Sequence, residues 1–406
     1  MKKNTIFKAR YYNDPIYGIL QFPFSVIQSL IDHPYLQRLR RITQCGLLNY
    51  VYPGANHTRF LHTLGVTHLI SEVVKSLISK GIKISPKDHE AACIAALLHD
   101  IGHGPYSHAL EQRIVPLHHE NISAMIAEKL NVEFNGKLVQ AIKILSHKHP
   151  KKFLSQLISG QLDVDRLDYL IRDSFYTGVA EGNIGYERLI HSFNVHDNRL
   201  VIEQKAVPSV EKFLISRHFM YSQVYMHKTV LALEQMLILL IERIKYLIQI
   251  DVELQMTPSL YSLLRMDKQE ISNGNFIPYY LDLDDFDFMH IIKMGVRHAD
   301  FIFSYLCRCL NDRNIFKIHW IKSTEKQYLI LSIRLEIKKS LGVSDDDSAF
   351  LIRSGEQNST SYLLDEEIEI LSTDNQIIPL SGLKSISFSR EKYSRSFICF
   401  PRDLHS

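Results

Sequence analysis

His62, His99, Asp100 and Asp165 are residues of the types that bind a divalent metal ion. They stand in three separate segments: Arg59-Phe60-Leu61-His62, Leu97-Leu98-His99-Asp100-Ile101-Gly102-His103-Gly104, and Asp163-Val164-Asp165-Arg166-Leu167-Asp168. The doublet His99-Asp100 closes an apolar run, Ala91 to Leu98, that reads as a buried helix. A neutral imidazole beside a carboxylate at such an end is costly unless something binds it. A cation held by two imidazoles and two carboxylates, with positions left for water, is a hydrolytic site. The glycines after the doublet allow backbone to approach a ligand closely, and Pro105 ends any continuing helix. A capped helix end with a buried histidine is the competing reading.

Further groups follow the same spacing logic. Arg59 and His62 are three apart and share a helix face. Asp165, Asp168, Tyr169, Arg172 and Asp173 recur at helical spacing after the Ser159-Gly160-Gln161 loop. Acids favour the first turn of a helix, so a solvated helix start accounts for them equally. Arg217, Tyr221, Tyr225 and Lys228 fall on one face of a helix, with His227 beside Lys228. A basic stripe with aromatics suits phosphates plus a base, although a plain surface stripe has the same spacing. His103, His108, His118 and His119 are more histidines than ligation requires. A histidine near a phosphate ester can protonate the leaving oxygen, and Glu111 or Glu120 can fix its tautomer. Histidines on solvated helix faces are the alternative.

The elements that must position these groups are mostly helical over the first 320 residues. Pro23 opens a segment to about Ile31, and Asp32-His33-Pro34 caps a helix predicted over Tyr35 to Cys45. Tyr50 to Asn56 reads as an extended or loop segment. A long helix is predicted from about Thr58 to Lys80, ended by Gly81, and Pro86-Lys87-Asp88 starts the one that leads to His99-Asp100. Further helices are expected near 119–131, 135–146, 150–159 and 162–174. A hairpin with an Asp197-Asn198 turn is expected within 186–205, then one long helix from about Val207 to Ile250, then two or three helices over 253–312. After about residue 320 a helix, Tyr328 to Leu341, precedes an acidic loop, Asp345-Asp346-Asp347. Short apolar runs follow, Phe350 to Ile352, Ile368 to Leu371 and Ile377 to Leu380, with an Asp374-Asn375 turn between the last two. The expected fold is mainly α: a helical bundle over 1–320 with a small hairpin, and a small α+β lobe over 321–406. The metal-bearing core falls at about 50–180 and the basic helix at about 207–250.

Composition is that of an ordinary globular chain, with 46% hydrophobic and 22% charged residues among 406. A formal net charge of +3 is too small to argue for nucleic acid by itself. The five cysteines are odd in number and scattered, which fits free thiols in a reducing cytoplasm. Met1-Lys2-Lys3-Asn4-Thr5 lacks the apolar stretch of a signal peptide, and Met236 to Ile250 is interrupted by Glu242, Arg243 and Lys245, so no membrane span is expected.

In order along the chain, this pattern resembles the HD-domain phosphohydrolase superfamily. The surrounding segments resemble one branch, the deoxynucleoside triphosphate triphosphohydrolases, which includes dGTPase-like bacterial enzymes and a vertebrate enzyme joining a sterile-alpha-motif domain to an HD domain. The matching segments are Asn13 to Gly18, Gln37 to Arg40, Pro53 to Val66, His99 to His108, Asp163 to Asp173 and Tyr225 to Lys228, spread over about residues 10–230. The resemblance implies hydrolysis of a dNTP to a deoxynucleoside and tripolyphosphate. His62, His99, Asp100 and Asp165 would bind a divalent metal (Mn, Fe, Zn, Mg or Ni). Arg59, Arg217 and Lys228 would hold phosphates, with Arg166 standing where the vertebrate enzyme has lysine. His119 would be the acid on the leaving 5′ oxygen, with His103 and Glu111 beside it; that enzyme has aspartate at the Glu111 position. Gln44 would sense the sugar 3′-hydroxyl and Tyr169 would crowd the 2′ position. His108, Asp173, Tyr225 and His227 would line the sugar and base pocket, with Met226 where the relative has glutamine. Arg10, Asn13, Asp32, Gln37 and Arg40 match a guanine-nucleotide activator site, with packing of subunits or core as the alternative for Gln37 to Arg40. A homo-oligomer is expected.

Two rivals are of other kinds. One is an HD phosphohydrolase acting on a monophosphate or signalling nucleotide. An alarmone hydrolase would carry acids soon after the doublet and a cyclic-dinucleotide esterase a Gly-Tyr-Pro element, and this sequence has neither. The other is a regulator that binds a nucleotide or nucleic acid without catalysis, against which the complete ligand set argues.

Overall fold

Phe60, Leu64, Val66, Leu69, Ile70, Val73, Val74 and Leu77 put apolar side chains all round one helix, and such a helix must be buried. In the computed structural model it runs from Arg59 to Ser79 and sits at the centre of the fold. Its neighbour Pro86–Leu98 starts at a Ser85/Asp88 capping box and is equally apolar. A third helix, Val164–Thr177, is amphipathic, capped by Asp163, and crosses the first. The first and third of these helices carry His62 and Asp165, and the end of the second leads into His99 and Asp100. The structure describes residues 10–322, 326–359, 367–383, 393–402 and 404. The N-terminal residues on which the leader reading rested lie outside that set.

The strands are β1 (Tyr11–Asp14), β2 (Gly18–Gln21), β3 (Phe193–His196), β4 (Arg199–Glu203), β5 (Lys317–Ile321), β6 (Arg353–Ser359), β7 (Glu369–Leu371), β8 (Ile377–Pro379) and β9 (Tyr393–Phe400). The β3–β4 hairpin turns at Asp197 and Asn198, whose φ of 47° and 61° are the left-handed pair a tight hairpin needs. This hairpin is half of a larger sheet in the order β3-β4-β7-β8, with β4 and β7 parallel. A second sheet, β5-β9-β6, is antiparallel. Its strand β5 begins before residue 320, and the C-terminal strands β7 and β8 extend the hairpin.

Several elements differ from expectation. The helix predicted over Tyr35 to Cys45 is a single turn, Pro34–Gln37, followed by a 3₁₀ segment, Arg38–Arg41. The 3₁₀ geometry turns Arg38 inward, where its guanidinium is fully buried. The long helix predicted from Val207 to Ile250 is two helices, Val207–Met220 and Lys228–Gln249, and the segment Gln204–Tyr225 meets the second at a bend of 55°. Between them Tyr221–Tyr225 forms a widened π turn, and His227 takes an extended conformation in which its Nδ1 accepts the Thr229 N–H. Five helices, not two or three, lie within 253–312. Asp345–Ala349 is a short helix capped by Ser344 rather than a loop, and Phe350 to Ile352 is not a strand. Strands β1, β2, β5, β6 and β9 had no counterpart in the predicted pattern. No single helix among the described residues is long and apolar enough to cross a membrane.

One buried ion chain ties the Val164–Thr177 helix to β1. Arg172 Nε and Nη2 donate to Asp168 Oδ2 and Oδ1 at 2.8 and 2.9 Å, and Nη1 donates to Asp14 Oδ2 at 2.9 Å. All three side chains are buried. Gly65 makes room for them: a Cβ there would lie 2.0 Å from Asp168 Oδ1 and 2.3 Å from Arg172 Nη2.

Two outcomes follow from this chain. Gly65→Ala forces two paired charges apart and lowers stability by about 1–3 kcal/mol, read as a lower midpoint in thermal unfolding. Burial opposes ionisation of Asp168, but Arg172 and His62 outweigh it and hold its carboxyl down to about 2. The native value lies below the ordinary 3.8, so this contribution is present above that pH and is lost as pH falls toward 2. Melting temperatures at successive pH values check it, and a flat profile between pH 4 and 2 would count against it.

Candidate active site

His62 sits in the first turn of the Arg59–Ser79 helix, His99 caps the C-terminus of Pro86–Leu98, Asp100 follows it, and Asp165 lies in the first turn of Val164–Thr177. His62 Nε2 is 3.1 Å from Asp165 Oδ1 and 3.5 Å from Asp100 Oδ2. His99 Nε2 is 3.5 Å from Asp100 Oδ1 and 3.6 Å from Asp165 Oδ1. Both Nε2 atoms are buried without a hydrogen bond. The other ring nitrogens are committed as donors, His62 Nδ1 to Asp168 Oδ2 at 2.8 Å and His99 Nδ1 to the Ala96 carbonyl at 2.7 Å. Those acceptors carry no proton, so each Nε2 is left with a lone pair facing the same space. Two orphaned lone pairs and two carboxylates within one ion's reach fit a divalent cation. Burial lowers the His62 imidazole, yet the neighbouring carboxylates Asp165 and Asp168 raise it to about 10. Against burial, His62 and His99 hold the Asp165 carboxyl well below the usual range. A proton and a cation therefore compete for this centre.

The loop after the doublet is held by residues far away in sequence. Arg38 donates Nε to the Leu283 carbonyl at 2.8 Å, Nη1 to Ile101 O at 3.3 Å and Nη2 to His103 O at 2.6 Å. Asp285 accepts the Tyr106 N–H at 2.6 Å and both the N–H and hydroxyl of Thr43 at 2.8 Å. Tyr106 and Ser107 have left-handed φ of 53° and 56°, a strained turn for side chains of this size. Gly102 presses onto the next helix: a Cβ there would lie 2.3 Å from His119 O and from Ser123 N. Arg59 spans the gap, donating to Asp100 Oδ2, to Ser107 Oγ at 2.7 Å and to Gln44 O at 3.4 Å.

The extra histidines form a relay. The His103 and His119 rings stack at 3.8 Å, with His108 edge-on 4.9 Å from His103. Glu111 Oε1 lies 2.8 Å from His119 Nδ1 and accepts the His119 backbone N–H at 2.9 Å, while Oε2 is 2.9 Å from His108 Nδ1. Burial would raise the Glu111 carboxyl, but His108 and His119 hold it far below its usual range. Burial and the Arg59 charge push His103 well down, so it is a neutral imidazole. His118 is exposed, with Nε2 2.6 Å from Gln112 Nε2 and Nδ1 3.4 Å from Glu111 Oε1.

A cavity of about 440 Å³ opens beside the quartet. Gln44, Arg59, Asp100, His103, His108, His119, Asp165, Arg166, Tyr169, Asp173 and Tyr225 all reach its wall. Asp173 is fixed at both oxygens, by His57 Nε2 at 2.7 Å and by the Tyr225 hydroxyl. Gln44 Oε1 and Arg166 Nε are buried without a partner. Arg217, His227 and Lys228 do not reach the wall. Arg217 is buried against the Tyr221 ring and 3.4 Å from Gln161 Oε1. The break at Met226 and His227 ends the single face that the stripe required, leaving Lys228 exposed. Arg10, Asn13, Asp32, Gln37 and Arg40 lie outside this cavity. Arg10 pairs with Asp32, Arg40 Nε donates to Gln37 Oε1 at 2.8 Å, and the Arg40 guanidinium lies 3.8 Å from the Phe60 ring centre.

Arg38, Ser107, Asp285 and Asp14 have roles that sequence reasoning missed. Asp168 and Arg172 were seen only as one helix face, although an acid followed by arginine four residues on is a legible pair. The others act through contacts between distant segments and leave no local signal.

Comparison with known proteins agrees with this geometry. The HD domain family model matches residues 59–173, which hold the whole quartet, and the HD associated region matches residues 184–274. The structure is similar to the crystal structure of a phosphohydrolase from Bacteroides thetaiotaomicron, at TM-score 0.94 and 41% identity, covering 97% of this chain and 100% of that one. The uncharacterized protein YwfO of Bacillus subtilis is 28% identical over 98% of this chain and 93% of its own. Deoxynucleoside triphosphate triphosphohydrolase SAMHD1 of Homo sapiens is 31% identical over 53% of this chain and 41% of its own. With a metal quartet at the centre of the matched region and a full-length phosphohydrolase relative, the chain belongs to the HD-domain family of metal-dependent phosphohydrolases.

Proposed function

We propose that this chain is a dNTP triphosphohydrolase, converting a dNTP and water to a deoxynucleoside and tripolyphosphate. The observation that carries the reading is the composition of one cavity. It joins the two carboxylates of the quartet, two arginines and a histidine relay to several tyrosines, a mixture that suits phosphates together with a sugar and base. The likeness to SAMHD1 over 53% of this chain supports it.

His62, His99, Asp100 and Asp165 would hold the divalent ion, which when bound supplies Lewis acidity and a more acidic water. Arg59 and Arg166 meet phosphate oxygens and take up charge that grows as the α-phosphorus is attacked. The bond from phosphorus to the 5′ oxygen breaks, the water oxygen stays with the tripolyphosphate, and His119 protonates the departing 5′ oxygen. Glu111 holds His119 through Nδ1 and fixes the orientation of its ring. Neutral His103 stacks on that ring and adds no charge of its own. The orphaned Gln44 Oε1 is an acceptor for a sugar hydroxyl, and Tyr169 leaves little room at the 2′ position. A guanine nucleotide bound by Arg10, Asn13, Asp32, Gln37 and Arg40 would act through Phe60, the neighbour of Arg59.

Purified protein with a divalent metal releases tripolyphosphate from at least one dNTP, with or without added GTP, and His99→Ala/Asp100→Ala does not. Equal background from the two proteins under every condition would reject the reading. His119→Gln lowers kcat by about 10²–10⁴-fold, with KM little changed in steady-state kinetics. Asp168→Asn, which never touches substrate, weakens metal affinity by about 10–100-fold, measured by competition with a chelator.

A further inference from the structure

The Lys228–Gln249 helix sends two residues to the cavity wall, Val230 and Glu234, one turn apart on the same face. Every other wall acid has an occupation. Asp100 and Asp165 belong to the quartet, Asp173 is fixed by His57 and Tyr225, and Glu120 is exposed to water. Glu234 is half-buried and, among the described residues, has no hydrogen-bond or ion-pair partner. Burial alone pushes its carboxyl up to about 7. A carboxyl on a cavity wall, partly withdrawn from water and with no donor, is destabilised, and N–H groups that reach it relieve this.

We propose that Glu234 reads the base of the substrate, accepting the N1–H and the exocyclic amino N–H of a guanine. This rests on the dNTP reading. The chemistry separates the four bases. A carboxylate is an acceptor at both oxygens, and guanine alone places two donors side by side on its pairing edge. Adenine and cytosine set one amino donor beside a ring lone pair, and thymine flanks its single N–H with carbonyl oxygens. Two N–H donors also favour the ionised carboxylate, so guanine draws Glu234 back to the charged form that binds it. Val230, the apolar neighbour on the same face, competes for none of these bonds.

The test compares kcat/KM of the wild type and Glu234→Gln for the four dNTPs and dITP, which keeps N1–H and lacks the 2-amino group. The wild type prefers dGTP over dATP and dTTP by about tenfold or more, with dITP between. Glu234→Gln, nearly isosteric, loses about tenfold or more on dGTP while dTTP changes by less than about twofold. Equal use of all dNTPs by the wild type, or a uniform loss across them in the variant, overturns the assignment and leaves the dNTP reading standing. If no dNTP yields tripolyphosphate, the dNTP reading falls. Equilibrium dialysis of deoxyguanosine, deoxyinosine and deoxyadenosine then decides the base assignment separately. Tighter deoxyguanosine binding that is lost in Glu234→Gln upholds it, and equal binding of the three overturns it.

Discussion

The bond between His62 Nδ1 and Asp168 is the interaction on which the rest depends. It fixes the imidazole tautomer and so decides that Nε2 is free for a cation. Asp168 can stay ionised in a buried position only because Arg172 covers both of its oxygens. Arg172 in turn has a proton left for Asp14, at the end of β1. Burying an ion is expensive unless every group is paired, and this chain pairs them in series. The same series pins the central helix, the Val164–Thr177 helix and the N-terminal hairpin to one another. Support for the chemistry and support for the fold are therefore the same contacts.

Polarity across the cavity follows from the surroundings of each group. Glu111 is anionic because two histidines donate to it, while His103 is neutral because burial and Arg59 act together. His103 therefore brings no charge to the ring of His119 stacked on it at 3.8 Å. The positive charge that remains, on Arg59 and Arg166, lies where an anionic substrate would meet the quartet. The tyrosines and Val230 supply the apolar counterpart.

Much of this was legible in the sequence, for local reasons. The apolar run before His99-Asp100 demands burial, and capping residues at Ser85 and Asp163 mark where the helices begin. The Asp197-Asn198 turn needs left-handed φ, which these residue types tolerate. The break at 226–227 was not legible, because no proline or glycine marks it. It arises where a π turn aims Tyr225 at Asp173 and His227 caps the next helix, both consequences of tertiary contact. For that reason Lys228, in register with Tyr221 and Tyr225 on paper, leaves the site. The strands β5 and β9 pair across more than seventy residues, and β1 has polar residues where a strand pattern expects alternation. Long-range pairing of that kind overrides local propensity.

Arg38 carries a consequence for the order of events during synthesis. Its guanidinium bonds carbonyls of residues 101, 103 and 283, and Asp285 bonds the backbone at 43 and 106. The quartet is encoded by residue 165, yet the loop that carries two of its members cannot satisfy its buried groups until the chain near 285 arrives. A nascent chain halted before that point would hold a buried arginine and a left-handed turn without their partners. Completion of that loop therefore waits on the remote segment, and the site is a product of the whole domain rather than of its first half.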